Sequence, residues 1–401
     1  MRLRSAETYW LLKNGIINSY PSLRDNLDCE VLVIGGGITG SLMAYQLSKE
    51  GMDVVLIDKR DVALGSTSAT TALLQYEIDE PLHTLIKKVG SMAATESYLG
   101  GVEAISKLES IVRVISSDCG FERKSSMYVA HNGRSKKSLS KEFECRRAVG
   151  ISVQWIDDKH LSDHYGIAGE GAILSDAAAS VDAYRLCHDL LAYGSAHYKL
   201  RIFDHTEFES VKHHQTHNVV QVIGGFSIHC RKIVHATGYE TQSMLDEKIV
   251  DLISTYACVS EIVPAIPHAI RNNLIWNTEN PYLYVRSTSD NRVLVGGADE
   301  PFKNPERRDN LIDKKEIVLM KKINKLIPSF NIISDFCWAG TFGVTKDSLP
   351  YIGAHPKHPN SLFVLGFGGN GITFSIMAMQ IISDAINGRT NRFLEYFKFG
   401  R

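Results

Sequence analysis

The chain has 401 residues, enough for roughly two or three domains of ordinary size. Hydrophobic residues make up 44% and charged residues 22%, and 44 basic side chains stand against 45 acidic ones. That near-cancellation excludes the large positive field of a nucleic-acid-binding protein, and no stretch approaches the ~18 consecutive apolar residues of a membrane span.

At the N-terminus, Glu7, Lys13 and Asn14 interrupt any apolar run that could act as a secretory signal. A cytoplasmic location is therefore expected. Residues 1–26 read as an extension rich in anchors, Tyr9-Trp10-Leu11-Leu12 and Pro21-Ser22-Leu23, that docks on the body of the protein. The seven cysteines (Cys29, Cys119, Cys145, Cys187, Cys230, Cys258 and Cys337) are odd in number and scattered, with no C-x-x-C. They read as reduced, mostly buried thiols.

Val31-Leu32-Val33-Ile34 is a short apolar run of the kind a parallel strand covered on both faces requires. It leads into Gly35-Gly36-Gly37-Ile38-Thr39-Gly40 and then a helix pattern that ends at Lys49-Glu50-Gly51. A second apolar run, Val54 to Ile57, ends in Asp58. A glycine triplet alone could be an ordinary tight turn. With strand, helix and terminal acid in register, the arrangement is a dinucleotide-binding fingerprint. Gly35 makes the turn, Gly37 lets the backbone approach a pyrophosphate, and Gly40 lets helix and strand pack closely. The helix opening offers N–H groups to phosphates, and Asp58 is placed for a ribose diol.

Lys59-Arg60 and a small-residue stretch, Gly65 to Ala72, follow. Residues 82–115 have an amphipathic helical pattern that Gly100-Gly101 is expected to interrupt. Strand patterns at 126–130 and 151–155 precede a helix over 181–193. Hairpins are expected about Gly224-Gly225 and about Asp290-Asn291. The chain closes on a second glycine-rich turn and an apolar helix from Ile372 to Ile386. Glycine turns near both ends imply a discontinuous nucleotide-binding domain, residues 27–85, 172–247 and 335–401. Residues 86–171 and 248–334 are left for a second domain.

Three separated motifs together resemble the D-amino-acid-oxidase-like family of FAD-dependent oxidoreductases, in its glycine-oxidase and sarcosine-oxidase branch. They are Gly35 to Asp58 with Gly65-Ser66-Thr67-Ser68; Val234-His235-Ala236-Thr237-Gly238; and Trp338-Ala339-Gly340 running to Gly366-Phe367-Gly368-Gly369-Asn370-Gly371-Ile372-Thr373. The resemblance implies an α/β fold, a Rossmann-like FAD-binding domain with an inserted α+β substrate domain on a mostly antiparallel sheet. It implies non-covalent FAD, since Cys337 is not at the spacing of the cysteine that such chains attach to flavin. The implied cofactor-binding residues are Gly35, Gly37, Ile38, Thr39, Gly40, Asp58, Lys59, Arg60, Ser66, Thr67, Ser68, Thr70, Thr71, Ala72, Thr237, Gly238, Gly340, Gly368, Gly369, Asn370, Gly371, Ile372 and Thr373. The implied reaction is oxidation of a carbon–nitrogen bond of an amine or amino acid, with oxygen or another acceptor reoxidising the flavin. A flavin dehydrogenase of a hydroxy acid or alcohol, and a flavin-binding subunit without turnover, remain the alternatives.

One position departs from the pattern. Phe342 stands where glycine-oxidase-like chains carry the arginine that grips the substrate carboxylate. Strand alternation puts Tyr282, Tyr284 and Arg286 on one face, so Arg286 is the candidate replacement. Tyr256, Tyr284, Arg286 and Lys346 are the candidate catalytic residues. No metal is expected, because His213, His214 and His217 read as a solvated turn without acidic or thiol ligands. The lysines at 314, 315, 321, 322 and 325 read as a solvated helix face, with weak contact to an anionic membrane surface left open.

Overall fold

Val31–Ile34 and Val54–Ile57 are apolar at every position, so any sheet they enter must be covered on both faces. The computed structural model describes residues 1–401 and shows that covering. Leu27–Ile34 and Val54–Ile57 run side by side and parallel in the middle of a first sheet. Its order is Tyr351–Ala354, Ser361–Leu365, Ser227–His235, Leu27–Ile34, Val54–Ile57, Leu200–Phe203. The first of these is antiparallel to its neighbour and the remaining pairs along the row are parallel. Val31, Val33, Val54 and Leu56 pack under helices Ile38–Lys49, Ala183–His197 and Gly371–Ile386. Leu32, Ile34, Val55 and Ile57 face Val220, Val222 and Ile228 from the expected hairpin at Gly224-Gly225.

The second sheet runs Ser334–Val344, Asp251–Ser260, Val293–Glu300, Leu283–Ser287, Asn273–Asn277, Glu122–Val129, Gly171–Ser180, Leu73–Gln75. Val153–Asp157 also pairs with Gly171–Ser180. Every pair is antiparallel except Asn273–Asn277 with Glu122–Val129. The protein is thus α/β, a discontinuous Rossmann-like domain joined to an α+β domain on a mostly antiparallel sheet. Strands Leu73–Gln75, Gly171–Ser180 and Ser334–Val344 belong by pairing to the second sheet, although the expected boundaries group them with the nucleotide-binding segments. Helix Ile312–Leu326 buries Leu319, Ile323 and Leu326 against this sheet. Lys314, Lys321 and Lys325 stay exposed, while Lys315 and Lys322 pair with Glu300 (2.6 Å) and Glu279 (2.8 Å). No helix is long and apolar enough to cross a membrane.

Two sequence expectations fail here for packing reasons. The helical stretch breaks at Gly90 (φ +88°), giving Leu82–Val89 and Ser91–Val114, and not at Gly100-Gly101. Those two glycines are close-contact positions inside the long helix. A Cβ on Gly100 would lie 2.5 Å from Met377, and one on Gly101 would lie 3.0 Å from the Tyr76 backbone. The cysteines are not all free, either. Cys258 and Cys337 sit directly opposite each other on paired strands, Cα atoms 4.1 Å apart, and form a disulfide. Their separation of 79 residues hides that adjacency from the sequence. Cys29, Cys119, Cys145, Cys187 and Cys230 remain thiols.

A buried ionic knot ties the helices to the second sheet. Arg146, fully buried, donates to Glu142 (2.7 Å), Glu77 (3.2 Å) and the Tyr76 hydroxyl (3.1 Å). Glu142 also accepts the Leu82 and His83 N–H groups, satisfying the start of helix Leu82–Val89. The N-terminal extension docks as expected. The Ser5 N–H donates to the Ala339 carbonyl and the Thr341 N–H to the Leu3 carbonyl, and Trp10 is buried with its indole N–H on the Thr70 carbonyl (2.6 Å).

Candidate active site

The first glycine turn is built by contact. Gly35 adopts φ +107°, and a Cβ there would lie 2.5 Å from the Ala236 carbonyl oxygen. A Cβ on Gly40 would lie 1.7 Å from the Gly35 carbonyl oxygen, so the helix can start only on glycine. Helix Ile38–Lys49 has Gly37 at its N-cap and no side-chain cap, while the Ile38 N–H is taken by Thr67 Oγ1 (2.9 Å). Asp58 braces the turn from the next strand, accepting the N–H groups of Gly36 (2.7 Å) and Arg60 (2.8 Å). Burial pushes its carboxyl up against the pull of these two bonds. A carboxylate has about four lone-pair sites, so it can accept further bonds.

This turn opens into a cavity of about 640 Å³ that extends to the second glycine turn. Of the expected cofactor residues, Gly35, Gly37, Ile38, Thr39, Asp58, Lys59, Arg60, Ser66, Thr67, Thr70, Thr71, Ala72, Thr237, Gly238, Gly340, Gly368, Gly369, Gly371 and Ile372 line it. Gly40 lies behind the turn. Ser68 is buried with its hydroxyl on the Gly65 carbonyl. Asn370 and Thr373 bind the Gln75 carbonyl (3.3 and 3.0 Å), fastening the second turn to strand Leu73–Gln75. Lys59 and Arg60 are matched by Glu240 at 3.2 and 2.9 Å, as is the Met1 ammonium at 2.8 Å.

In the second turn the Gly369 N–H donates to Asp79 (2.8 Å), a residue the sequence reading passed over. A Cβ on Gly368 would lie 2.5 Å from that carboxylate, which is why glycine stands there. Helix Gly371–Ile386 still begins without a side-chain cap, and Gly371 and Ile372 face the cavity.

The candidate catalytic residues separate into two groups. Tyr256 and Tyr284 line the cavity, and burial pushes the Tyr256 hydroxyl up to about 12. Arg286 and Lys346 do not line it. The strand alternation is real, but beyond Tyr284 that face meets the N-terminal extension. Arg286 is buried over the Trp10 ring (5.3 Å) and donates to the Val181 carbonyl (3.1 Å). Burial lowers its guanidinium to about 10. Lys346 is exposed on the turn after strand Ser334–Val344.

Phe342 does face the cavity, with Trp338, Tyr282, Thr255 and Asp299. Asp299 was not foreseen. It follows Gly296-Gly297, where four residues of its strand oppose three of the neighbour, Gly297 to Glu300 against Ser254 to Tyr256. Gly297 (φ +131°) and Ala298 (φ +56°) carry this bulge. A glycine pair inside a strand was the available signal. The Asp299 carboxyl is pushed up to about 6 by burial, and its Oδ1 is buried without a hydrogen-bond partner.

The site fits an extended dinucleotide. The uncapped helix opening, the bare glycine edge and the cavity's length answer a pyrophosphate flanked by two ring systems. A family model for FAD dependent oxidoreductase matches residues 30–385. Gamma-glutamylputrescine oxidoreductase of Escherichia coli (strain K12) is 24% identical, covering 93% of this chain and 87% of that one. Glycine oxidase of Geobacillus kaustophilus (strain HTA426) is 22% identical, covering 91% and 94%. The crystal structure of glycine oxidase from Geobacillus kaustophilus superposes with a TM-score of 0.77 at 20% identity, over 93% of this chain and 99% of that one. A Bacillus subtilis (strain 168) protein named for a Rieske 2Fe-2S iron–sulfur centre is 24% identical, over 98% of this chain and 75% of its own. With two glycine turns meeting on one cavity and the family pattern running through residues 30–385, this chain belongs to the FAD-dependent oxidoreductase family and is an enzyme that uses FAD.

Proposed function

We propose that the enzyme oxidises a carbon–nitrogen bond of a small amine or amino acid, giving an imine that water hydrolyses. Bound FAD supplies the hydride acceptor for this chemistry. The residues fitted to hold its phosphates are Gly35, Gly37 and Thr39 at the helix opening, with Asp58 for a ribose. Thr70–Ala72, Gly340, Gly368, Gly369, Gly371 and Ile372 are the residues fitted to the ring. No cysteine or histidine lines the cavity, which supports non-covalent binding.

The observation that carries the reading is the charge of the far end of the cavity. Tyr256, Tyr282, Tyr284, Trp338 and Phe342 wall it, Asp299 is its one charged side chain, and the only basic side chains lining the cavity are Lys59 and Arg60 beside Glu240. A hydroxy acid or an α-amino acid would bring a carboxylate to a site with no cation lining it, so an amine without that group fits best. An amine brings nitrogen to a site of aromatic faces and one acid. The names of two relatives, gamma-glutamylputrescine oxidoreductase and glycine oxidase, agree with nitrogen chemistry. The tyrosine and tryptophan walls exclude water and orient the substrate carbon, a positioning role that needs no dedicated base.

The test is anaerobic mixing of the yellow holoenzyme with primary and secondary amines, amino acids and hydroxy acids. Bleaching at 450 nm by nitrogen donors is the expected result, and bleaching by hydroxy acids alone overturns the reading. Peroxide formed on admitting air then identifies oxygen as the acceptor.

A further inference from the structure

Among the acids that line the cavity, Asp299 stands at the tyrosine end. Asp299 takes part in no ion pair, and Oδ1 has no hydrogen-bond partner although it is buried. The groups that face it come from four elements. Thr255 approaches from strand Asp251–Ser260, Tyr282 and Tyr284 from the next strand and its lead-in, and Asp79 from beneath the second glycine turn. Lys315 and Lys322 on helix Ile312–Leu326 complete the set. Both lysines are already committed: Lys315 binds Glu300 (2.6 Å) and the Ala298 carbonyl (2.7 Å), and Lys322 binds Glu279 (2.8 Å) and the Pro281 carbonyl (3.1 Å). The second acid, Asp79, is also without an ion pair; it holds the Gly369 N–H and lies 3.4 Å from the Tyr282 hydroxyl.

An acid with an open acceptor atom, among tyrosine faces and next to a second acid, favours a cation from the ligand. We propose that Asp299, walled by Tyr282 and Tyr284, anchors a positively charged nitrogen of the substrate that is not the one oxidised, so that the preferred substrates are diamines. The reacting nitrogen must give up its lone pair as hydride leaves the adjacent carbon, so it has to be neutral. A carboxylate that held that nitrogen as ammonium would block the reaction. The cation in the Asp299 subsite is therefore a second nitrogen, spaced from the first by an apolar linker against the aromatic walls.

This inference rests on the amine reading above, so its test uses binding as well as turnover. The oxidised holoenzyme is titrated anaerobically with 1,4-diaminobutane, butylamine and butanoate, and dissociation constants are taken from calorimetry and from the initial perturbation of the flavin spectrum. The diamine is expected to bind at least tenfold more tightly than butylamine, and butanoate not to bind. Asp299→Asn is expected to abolish the diamine advantage, bringing the diamine-to-butylamine ratio to about one; Asp299→Glu retains part of the advantage and shows that the site still folds. Diamine affinity in the parent enzyme should fall below about pH 6, where Asp299 takes up a proton, and in Asp299→Asn should not. An unchanged diamine-to-butylamine ratio in Asp299→Asn, or no preference in the parent, overturns the subsite. If the diamine binds as expected but neither amine bleaches the flavin, the amine-oxidation reading fails and the cation subsite stands.

Discussion

Asp299→Asn also makes a prediction about stability that needs no substrate. Burial is the largest influence on this carboxyl and raises it from 3.8 to about 6, with Thr255, Lys315 and Lys322 pulling the other way. At about 1.4 kcal/mol per pH unit, holding Asp299 ionised costs the fold about 3 kcal/mol at pH 8. Water reaches part of this half-buried side chain, so about 1–2 kcal/mol is the figure to expect after screening. The sign follows from the folded value lying above the unfolded one. Between pH 4 and 6 the folded state binds more protons, so this contribution to stability is full below about pH 4 and is lost as pH rises through 6. Asparagine keeps the shape and carries no charge. The variant should therefore be more stable than the parent by about 1–2 kcal/mol at pH 8, with the gain vanishing near pH 4. Urea unfolding of the holoenzyme at fixed FAD, followed by tryptophan fluorescence at both pH values, measures it. Equal midpoints at pH 8, or a gain that grows towards acid, would refute the claim that this carboxylate is held unpaired.

Two further substitutions probe the frame around the cavity. Gly40→Ala places a methyl 1.7 Å from the Gly35 carbonyl oxygen and should weaken FAD at least tenfold; the bound-flavin absorbance of the purified protein reports it. Arg146→Met leaves Glu142 and Glu77 buried without their cation and should cost about 3–5 kcal/mol in chemical unfolding. In the parent, burial would raise Glu142, but hydrogen bonds from His83 and the Arg146 charge hold it down to about 2. The stability this contributes is present above the ordinary value of 4.5 and is lost as pH falls towards 2, so the parent and Arg146→Met should converge at acid pH.

The sequence was most legible where local rules and tertiary packing agree. The run Val31–Ile34, the turn at Gly35–Gly40 and the acid Asp58 obey periodicity, turn chemistry and helix-opening electrostatics together, and each lies as read. Legibility failed where a long-range neighbour decides. Gly100-Gly101 look like a helix breaker, yet they serve Met377, Phe393 and Tyr76 from distant segments. Cys258 and Cys337 are unrelated by spacing and opposite by register. Asp299 drew no notice in the sequence, because the bulge at Gly297-Ala298 beside it is set by pairing with Ser254–Tyr256.

Arg286 shows how such a neighbour also shapes the chemistry. Read along its strand, it is the natural cation to replace the arginine absent at Phe342. The N-terminal extension removes that option: Trp10 lies under the guanidinium, and the Val181 carbonyl takes one of its protons. Leu3 and Met1 of the same extension line the cavity, and the Met1 ammonium joins Lys59 and Arg60 on Glu240. The extension thus converts the one available arginine into a structural group and adds its own charge at the opposite end of the cavity. No basic side chain lines that end of the cavity, so the balance of charge there is set by Asp299 and, behind it, Asp79. A carboxylate-bearing substrate has no counterion at that end, and an ammonium has two acids within its field. Where residues 1–14 dock therefore bears on the charge of the tyrosine end, because Trp10 lies under the strand arginine that could otherwise have turned toward it.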